Sequence, residues 1–338
     1  MHYLRFATGF SALLLSGILL PGYGAETTTD PAIRAAVEKA IPLLEKGSGE
    51  STTKVRCFTC HNQALPTFAL SLAAERGFAV NGDNLKKQVE VTLADLSSAK
   101  DAYLKGQGQG GGVDRAGYAL LTLERGQAKA GDTTAAVTEY LLLKDQDGWK
   151  GNSNRPPSEA SRFTTTALAL RELRVFGTAA QQERITTRRA AARSWLLATT
   201  PADTEDRAFR LMALKEAEAT AGAMATAIVA LRKSQRDDGG WAQLDGMESD
   251  AYATGSVLTA LRTAGVPQAD PDYRRGVGYL LKTQLPDGSW YVKSRSKPFQ
   301  PYYESGFPHG KDQFISIAAS SWATAALVLA LPAGKEGR

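Results

Sequence analysis

The stretch Gln284-Leu-Pro-Asp-Gly-Ser-Trp290 decides the fold, because it recurs as Gln235-Arg-Asp-Asp-Gly-Gly-Trp241 and, shortened, as Gln146-Asp-Gly-Trp149. The copies follow amphipathic segments, as in Arg275-Gly-Val-Gly-Tyr279-Leu280 before the first and Tyr140-Leu141 before the third. A decayed copy between Arg189 and Trp195-Leu196 keeps only the helical half. Each Asp-Gly step supplies a turn. The indole then covers the end of the preceding helix, while the glutamine bonds backbone groups that a helix terminus leaves unpaired. Gln235, Trp241, Gln284 and Trp290 are therefore expected to hold the fold together and to do no chemistry.

Outward from these turns, apolar residues at three-to-four spacing predict helices near residues 31–46, 64–76, 83–105, 114–126, 132–144, 160–175, 180–199, 204–218, 220–234, 249–264, 270–283 and 312–331. They form six consecutive pairs. The second member of each pair is small and apolar, as in Thr164-Thr-Thr-Ala-Leu-Ala-Leu170. The first is amphipathic and charged, as in Tyr273-Arg-Arg-Gly-Val-Gly-Tyr-Leu-Leu-Lys282. Helices apolar nearly all round are buried and amphipathic ones half exposed, so the alternation predicts an all-α (α/α)6 toroid with an inner ring inside an outer one. It would occupy residues 26–332 as a single domain, with a disordered tail at 333–338. Every outer-to-inner loop would then lie at the same end, and closure of the ring would make the first and sixth loops neighbours.

The Q-x-x-x-G-x-W element after an amphipathic helix resembles the QW repeat of squalene–hopene cyclases and related terpenoid cyclases, whose α/α toroid is shared by protein prenyltransferase β-subunits. The resemblance covers most of residues 83–331. It implies an apolar, isoprenoid-like substrate and acid chemistry at a D-x-D-D-T-A motif whose middle acid protonates it. In Asp250-Ala-Tyr-Ala-Thr254-Gly255 the first Asp and the Thr are kept, but Tyr252 stands where the proton donor should be and Ala253 where the next acid should be. The zinc-site Asp-x-Cys of prenyltransferase β-subunits is missing, since no cysteine follows residue 60. Asp250 and Tyr252 are thus the candidate catalytic pair of a cyclase- or isomerase-like reading without haem. A non-catalytic binding scaffold is a third reading. The inner-helix N-termini carry further acids, Asp114, Glu159, Glu205 with Asp206, Glu248, and Asp312, which suit the helix dipole.

A different chemistry is written at Cys57-Phe58-Thr59-Cys60-His61, which holds both cysteines of the chain in the C-x-x-C-H spacing of covalent haem attachment. Two thiols three residues apart can each form a thioether to a haem vinyl group, with the adjacent imidazole as axial ligand. Cys57, Cys60 and His61 are accordingly the expected haem c site. His309 is the proposed distal ligand, and Met247 a weaker candidate. Three competitors are zinc held by Cys57, Cys60, His61 and His309, a disulfide between the two cysteines, and a thioester between Cys60 and Gln63. The haem would sit in the first outer-to-inner loop, at the mouth of an apolar cavity flanked by Tyr252, Phe209, Trp322, Tyr302, Tyr303 and Phe307. It would exchange electrons with a redox partner or oxidise a lipid-like substrate.

Residues 1–25 read as a cleavable secretory signal: a lone Arg5, an apolar run at 6–20, then Pro21-Gly-Tyr-Gly-Ala25. This predicts an exported, periplasmic protein with no later membrane span. Without that segment 39 basic residues stand against 35 acidic ones, mixed along the chain, which gives no nucleic-acid footprint.

Overall fold

The structure, a computed structural model, describes residues 30–54, 58–145, 147–297 and 301–332. The expected signal at 1–25, the expected tail at 333–338, and Cys57 lie outside the described residues. Among the described residues there are thirteen α-helices and no strand beyond one isolated bridge. The outer helices are α1 (Asp30–Lys54), α3 (Gly82–Ser98), α6 (Asp132–Leu143), α8 (Gln182–Ala198), α10 (Ala221–Lys233) and α12 (Pro271–Thr283). The inner ones are α2 (Leu65–Glu75), α5 (Gly112–Arg125), α7 (Arg162–Phe176), α9 (Thr204–Glu216), α11 (Ala251–Thr263) and α13 (Gln313–Ala330). The short α4 (Lys100–Leu104) continues α3 after a break at Ala99, where one helix over 83–105 was expected. The all-α toroid read from the sequence is the observed architecture.

The inner helices pack in the order α2, α5, α7, α9, α11, α13 and back to α2. At their C-terminal ends a belt of cations runs the whole way round. Arg125 Nη2 reaches Glu75 at 2.6 Å, Arg171 Nη2 reaches Glu124 at 2.8 Å, and Arg174 Nε reaches Glu216 at 2.7 Å. Lys215 donates to the Thr263 carbonyl at 2.6 Å, Arg262 to Leu329 at 3.3 Å, and Arg76 to Leu331 at 2.7 Å. Each cation meets an acid or carbonyl at the negative end of a neighbouring helix, where positive charge is stabilising.

At the other end the repeated turns do what their residues require. Trp149, Trp241 and Trp290 donate Nε1–H to the carbonyls of Leu141, Leu231 and Leu280 at 2.8, 2.8 and 2.9 Å. Their backbone amides donate to Thr166, Thr254 and Ser320 hydroxyls on the following inner helix at 3.0, 2.9 and 3.0 Å. All three indoles are fully buried. Gln235 Nε2 donates to the Gly239 carbonyl and on to Asp272, at the start of the next outer helix. Gln284 does the same to Gly288 and to Ala36 of α1, at 3.0 and 2.8 Å, which joins the last hairpin to the first. Gly288 turns with φ +95, and a Cβ there would collide with the Lys39 carbonyl, so both the turn and the close approach need glycine.

Helix α13 lies in the helical stretch Gly310–Ala330, which is long and apolar enough to cross a membrane, against the expectation that no later segment is. It is 83% buried inside the ring, as an inner helix must be.

Candidate functional site

The C-x-x-C-H segment enters the ring through a π-helical turn, Cys60–Ala64, that runs directly into α2. Gln63 stabilises its start: Oε1 accepts from the Thr59 amide at 2.7 Å and from the Thr59 hydroxyl at 3.4 Å. Gln63 thus holds the Thr59 backbone at the start of the turn through its side-chain oxygen. Asn62 donates from Nδ2 to Tyr303 Oη at 3.2 Å, and the His61 ring meets Phe314 edge-on at 5.1 Å. The first and sixth outer-to-inner loops are therefore neighbours, as ring closure requires.

A third loop completes the site. Arg155 and Glu159 exchange backbone hydrogen bonds at 3.1 and 3.0 Å, a bridge that sets Glu159 ahead of Ser161, the residue that caps α7 through the Phe163 and Thr164 amides. Glu159 is thus no helix-dipole acid, contrary to the expectation for it. Its carboxylate faces His61 Nδ1 at 3.6 Å and is paired on the other side with the Arg155 guanidinium. Burial alone would raise the Glu159 carboxyl, but the His61 ring, Arg155 and the Cys60 thiol together hold it below its ordinary range. Cys60 is 6% exposed, and burial followed by the Glu159 charge pushes its thiol well above the ordinary value. His61 Nε2 is buried with no hydrogen-bond partner.

These groups border a cavity of about 370 Å³ at the mouth of the ring. Its lining combines His61, Arg155 and Glu159 with the apolar Pro301, Phe314 and Ile315, and with the polar and charged Ser296, Lys297, Lys311 and Asp312. The expected cavity flanked by Tyr252, Phe209 and Trp322 is corrected here. Those side chains are 1–3% exposed and fill the ring interior, with Phe209 and Trp322 centroids 5.8 Å apart. Of the expected loop aromatics, Tyr302 borders the mouth, whereas Phe307 packs on Gly47 of α1 and Tyr303 serves Asn62.

Asp250 and Tyr252 are not brought together as a pair. Asp250 caps α11, accepting from the Ala253 amide at 2.9 Å and from Gln243 Nε2 at 3.0 Å, and burial pushes its carboxyl up to about 6. Residues two apart do not share a helix face. The Tyr252 hydroxyl instead donates to Glu205 Oε1 at 3.3 Å, which also accepts from Thr164 Oγ1 at 2.7 Å. Burial drives the Glu205 carboxyl well above its ordinary range, and its second oxygen has no partner. Glu205 was legible only as an acid near a helix start; the cap of α9 is Asp203, through the Asp206 amide.

His309 does not stand on the cavity wall beside His61, as a distal ligand would. Its Nε2 is 2.8 Å from Ser289 Oγ and its ring lies edge-on to Tyr291 at 5.3 Å. Met247 sits in a surface turn closed by its own amide on the Leu244 carbonyl. Among the described residues no three His, Cys, Asp or Glu side chains gather to hold a metal ion, so a zinc tetrad including His309 is not assembled.

The donors nevertheless suit a haem at His61. A metal-ligating imidazole characteristically gives its second N–H to a carboxylate, and here Nδ1 faces Glu159 while Nε2 is left buried and unpartnered. A thioether at Cys60 would also remove a thiol set against a buried carboxylate.

The ring of paired helices defines a terpene-cyclase-type toroid. A family model, the squalene-hopene cyclase C-terminal domain, matches residues 165–336, more than half of the chain, and the chain belongs to that family. A squalene–hopene cyclase of Bradyrhizobium diazoefficiens is 39% identical over 80 residues, 24% of this chain and 12% of that protein. A probable squalene–hopene cyclase of Sinorhizobium fredii is 40% identical over 68 residues, 20% of this chain and 10% of that protein. The matches thus span only a small part of these relatives. Among solved structures, the type II terpene cyclase MstE from Scytonema in its apo form superposes with a TM-score of 0.57 at 14% identity, over 89% of this chain and 98% of that one. An MstE variant bound to the substrate geranylgeranyl dihydroxybenzoate gives 0.58 at 15%, over the same shares. A glycosidase gives 0.51 at 12%, over 88% of this chain and 99% of that one. At these identities the likeness is one of fold, and the fold is shared by unlike chemistries.

Proposed function

We propose that this chain is an exported cyclase-fold protein carrying a covalent c-type haem at the mouth of the ring, and that it exchanges electrons with an isoprenoid-like molecule or a redox partner. The observation that carries this reading is the unpartnered Nε2 of His61 beside the mouth cavity, one residue after the last cysteine of C-x-x-C-H. His61 would ligate the iron, and Cys57 and Cys60 would each add S–H across a vinyl group. Bound there, the haem would supply one-electron chemistry. Glu159 would fix the imidazole through Nδ1, and Arg155 keeps Glu159 charged and in place. Phe314, Ile315 and Pro301 would offer apolar contacts to the bound group.

The test is a reduced-minus-oxidised visible spectrum with a denaturing haem stain, on protein exported from a host competent in c-type maturation. Covalent haem absorbance lost in Cys57→Ala/Cys60→Ala, and a changed axial-ligand spectrum in His61→Ala, are expected. A colourless wild-type protein from that host overturns the reading.

A second reading, acid chemistry without haem, is favoured by one observation: Glu205 is a carboxyl whose burial raises its proton affinity, with one oxygen unpartnered and the Tyr252 and Thr164 hydroxyls on the other. A buried carboxyl shifted in this direction would serve as the proton donor. Isoprenoid turnover by colourless protein, abolished in Glu205→Gln, would establish it in place of the first.

A further inference from the structure

The mouth cavity combines two chemistries. Pro301, Phe314 and Ile315 give its lining an apolar part. The same lining includes Lys297 and Lys311, both exposed. Charge on the wall is otherwise spoken for. Arg155 is paired with Glu159, and Asp312 accepts from Tyr291 Oη at 2.9 Å and from the Ser294 amide at 2.8 Å. Lys297 and Lys311, both among the cavity's lining, make no ion pair among the described residues. Beside them the Ser296 hydroxyl oxygen is buried with no hydrogen-bond partner. A buried polar atom without a partner is costly unless something else fills the role. Two ammonium groups and a hydroxyl donor lining the same cavity as Pro301, Phe314 and Ile315 are complementary to a molecule with an apolar body and carboxylates.

We infer that Lys297, Lys311 and Ser296 form a carboxylate-binding rim, so that the cavity takes an amphiphilic acid and not a neutral hydrocarbon. The inference rests on the same cavity as the proposed function, and two sources share the chemistry: the two propionates of a haem ligated by His61, or the carboxyl of a separate isoprenoid acid. In either case the last outer-to-inner loop recognises the ligand's charge while the first supplies His61.

The experiment uses the full chain and its Lys297→Gln/Lys311→Gln variant, both exported from the c-type-competent host, together with the haem-free Cys57→Ala/Cys60→Ala protein with and without the lysine changes. Two quantities are read: the reduction potential of any covalent haem, and the affinities of the haem-free proteins for geranylgeranoic acid and geranylgeraniol. If propionates are the source, the potential falls in the lysine variant, because removing positive charge favours the oxidised iron, and the acid and alcohol bind alike. If a separate acid is the source, the haem-free protein prefers acid over alcohol by tenfold or more, and the lysine variant loses that preference. A colourless wild-type protein that still prefers the acid sinks the haem reading and leaves the rim standing. A coloured protein whose potential is unchanged, with no acid preference, overturns the rim and leaves the haem reading standing.

Discussion

Replacing Asp114 with asparagine should stabilise the protein at pH 8 and not at pH 4. Asp114 lies in the first turn of α5 and is 2% exposed. Its Oδ1 accepts from Thr165 Oγ1 at 2.6 Å, and Oδ2 has no partner. Burial, the largest influence, pushes the carboxyl from its ordinary 3.8 up to about 6; the Glu159 charge adds to this, while Thr165, the Ser153 backbone and Arg155 oppose it. The folded protein therefore holds a proton between pH 4 and 6 that the unfolded chain has released. Stability is full below pH 3.8, declines as pH rises to 6, and is flat beyond. A tenfold difference in proton affinity is worth about 1.4 kcal/mol, so the decline due to this group is about 3 kcal/mol. Asparagine keeps the acceptor for Thr165 and cannot ionise, but leaves a buried amide N–H₂ unpaired at about 1 kcal/mol. The expected difference, variant minus wild type, is a loss of about 0.5 kcal/mol at pH 4 and a gain of about 2 kcal/mol at pH 8. Urea unfolding at one-unit steps from pH 4 to 8 measures it, and Asp250, which titrates in the same window, cancels in the difference. A difference that does not change with pH would refute the argument.

Two further outcomes follow from the same contacts. Gln284→Ala removes the hydrogen bonds to Ala36 and Gly288 that join the last hairpin to α1; at about 1 kcal/mol each, the melting temperature should fall by roughly 4 °C. Calorimetry showing a change under 1 °C would mean that the ring is closed by other contacts. Asp250→Ala removes the N-cap of α11, worth about 1 kcal/mol, together with a carboxyl that is destabilising once ionised above pH 6. The variant should therefore be less stable than wild type at pH 4 and at least as stable at pH 8, and equal losses at both pH values in urea unfolding would contradict the raised proton affinity.

The toroid was legible because its signals are local and repeated. Apolar periodicity marked all twelve hairpin helices, and Trp241 and Trp290 cover the helix ends as expected, but it is their Nε1–H and not the glutamine that bonds the helix-terminal carbonyls, while the glutamines reach the next outer helix. The closing contact of Gln284 with Ala36, 248 residues away, was implied by the repeat itself: Gln235 reaches the next outer helix, and after the sixth hairpin the next one is α1. What breaks the pattern was less legible. The pause at Ala99 between α3 and α4 falls in a sequence with no proline or glycine to announce it.

The candidate site divides along the same line. His61 could be singled out because C-x-x-C-H is contiguous, but Glu159 and Arg155 reach it from a loop with no periodicity, 98 residues away in the case of Glu159. Read by position, Glu159 looked like one more acid at an inner-helix start. The Arg155–Glu159 backbone bridge takes it off that helix and Ser161 replaces it as cap, which frees its carboxylate for the imidazole. His309 shows the converse. Its loop does adjoin the first one, yet a left-handed backbone at φ 84 and the Ser289 hydroxyl carry the ring onto Tyr291. Adjacency of loops follows from topology, but the direction of a side chain within a loop follows from caps and turns that a single sequence states only weakly. The acids at inner-helix starts follow the same rule. Asp250 and Asp203 each spend one oxygen on a backbone amide at the start of their helix, whereas Glu205 and Asp114 are held by the hydroxyls of Thr164 and Thr165 on the neighbouring inner helix, so an acid at a similar place in the repeat caps its own helix in one case and bonds across the ring in another.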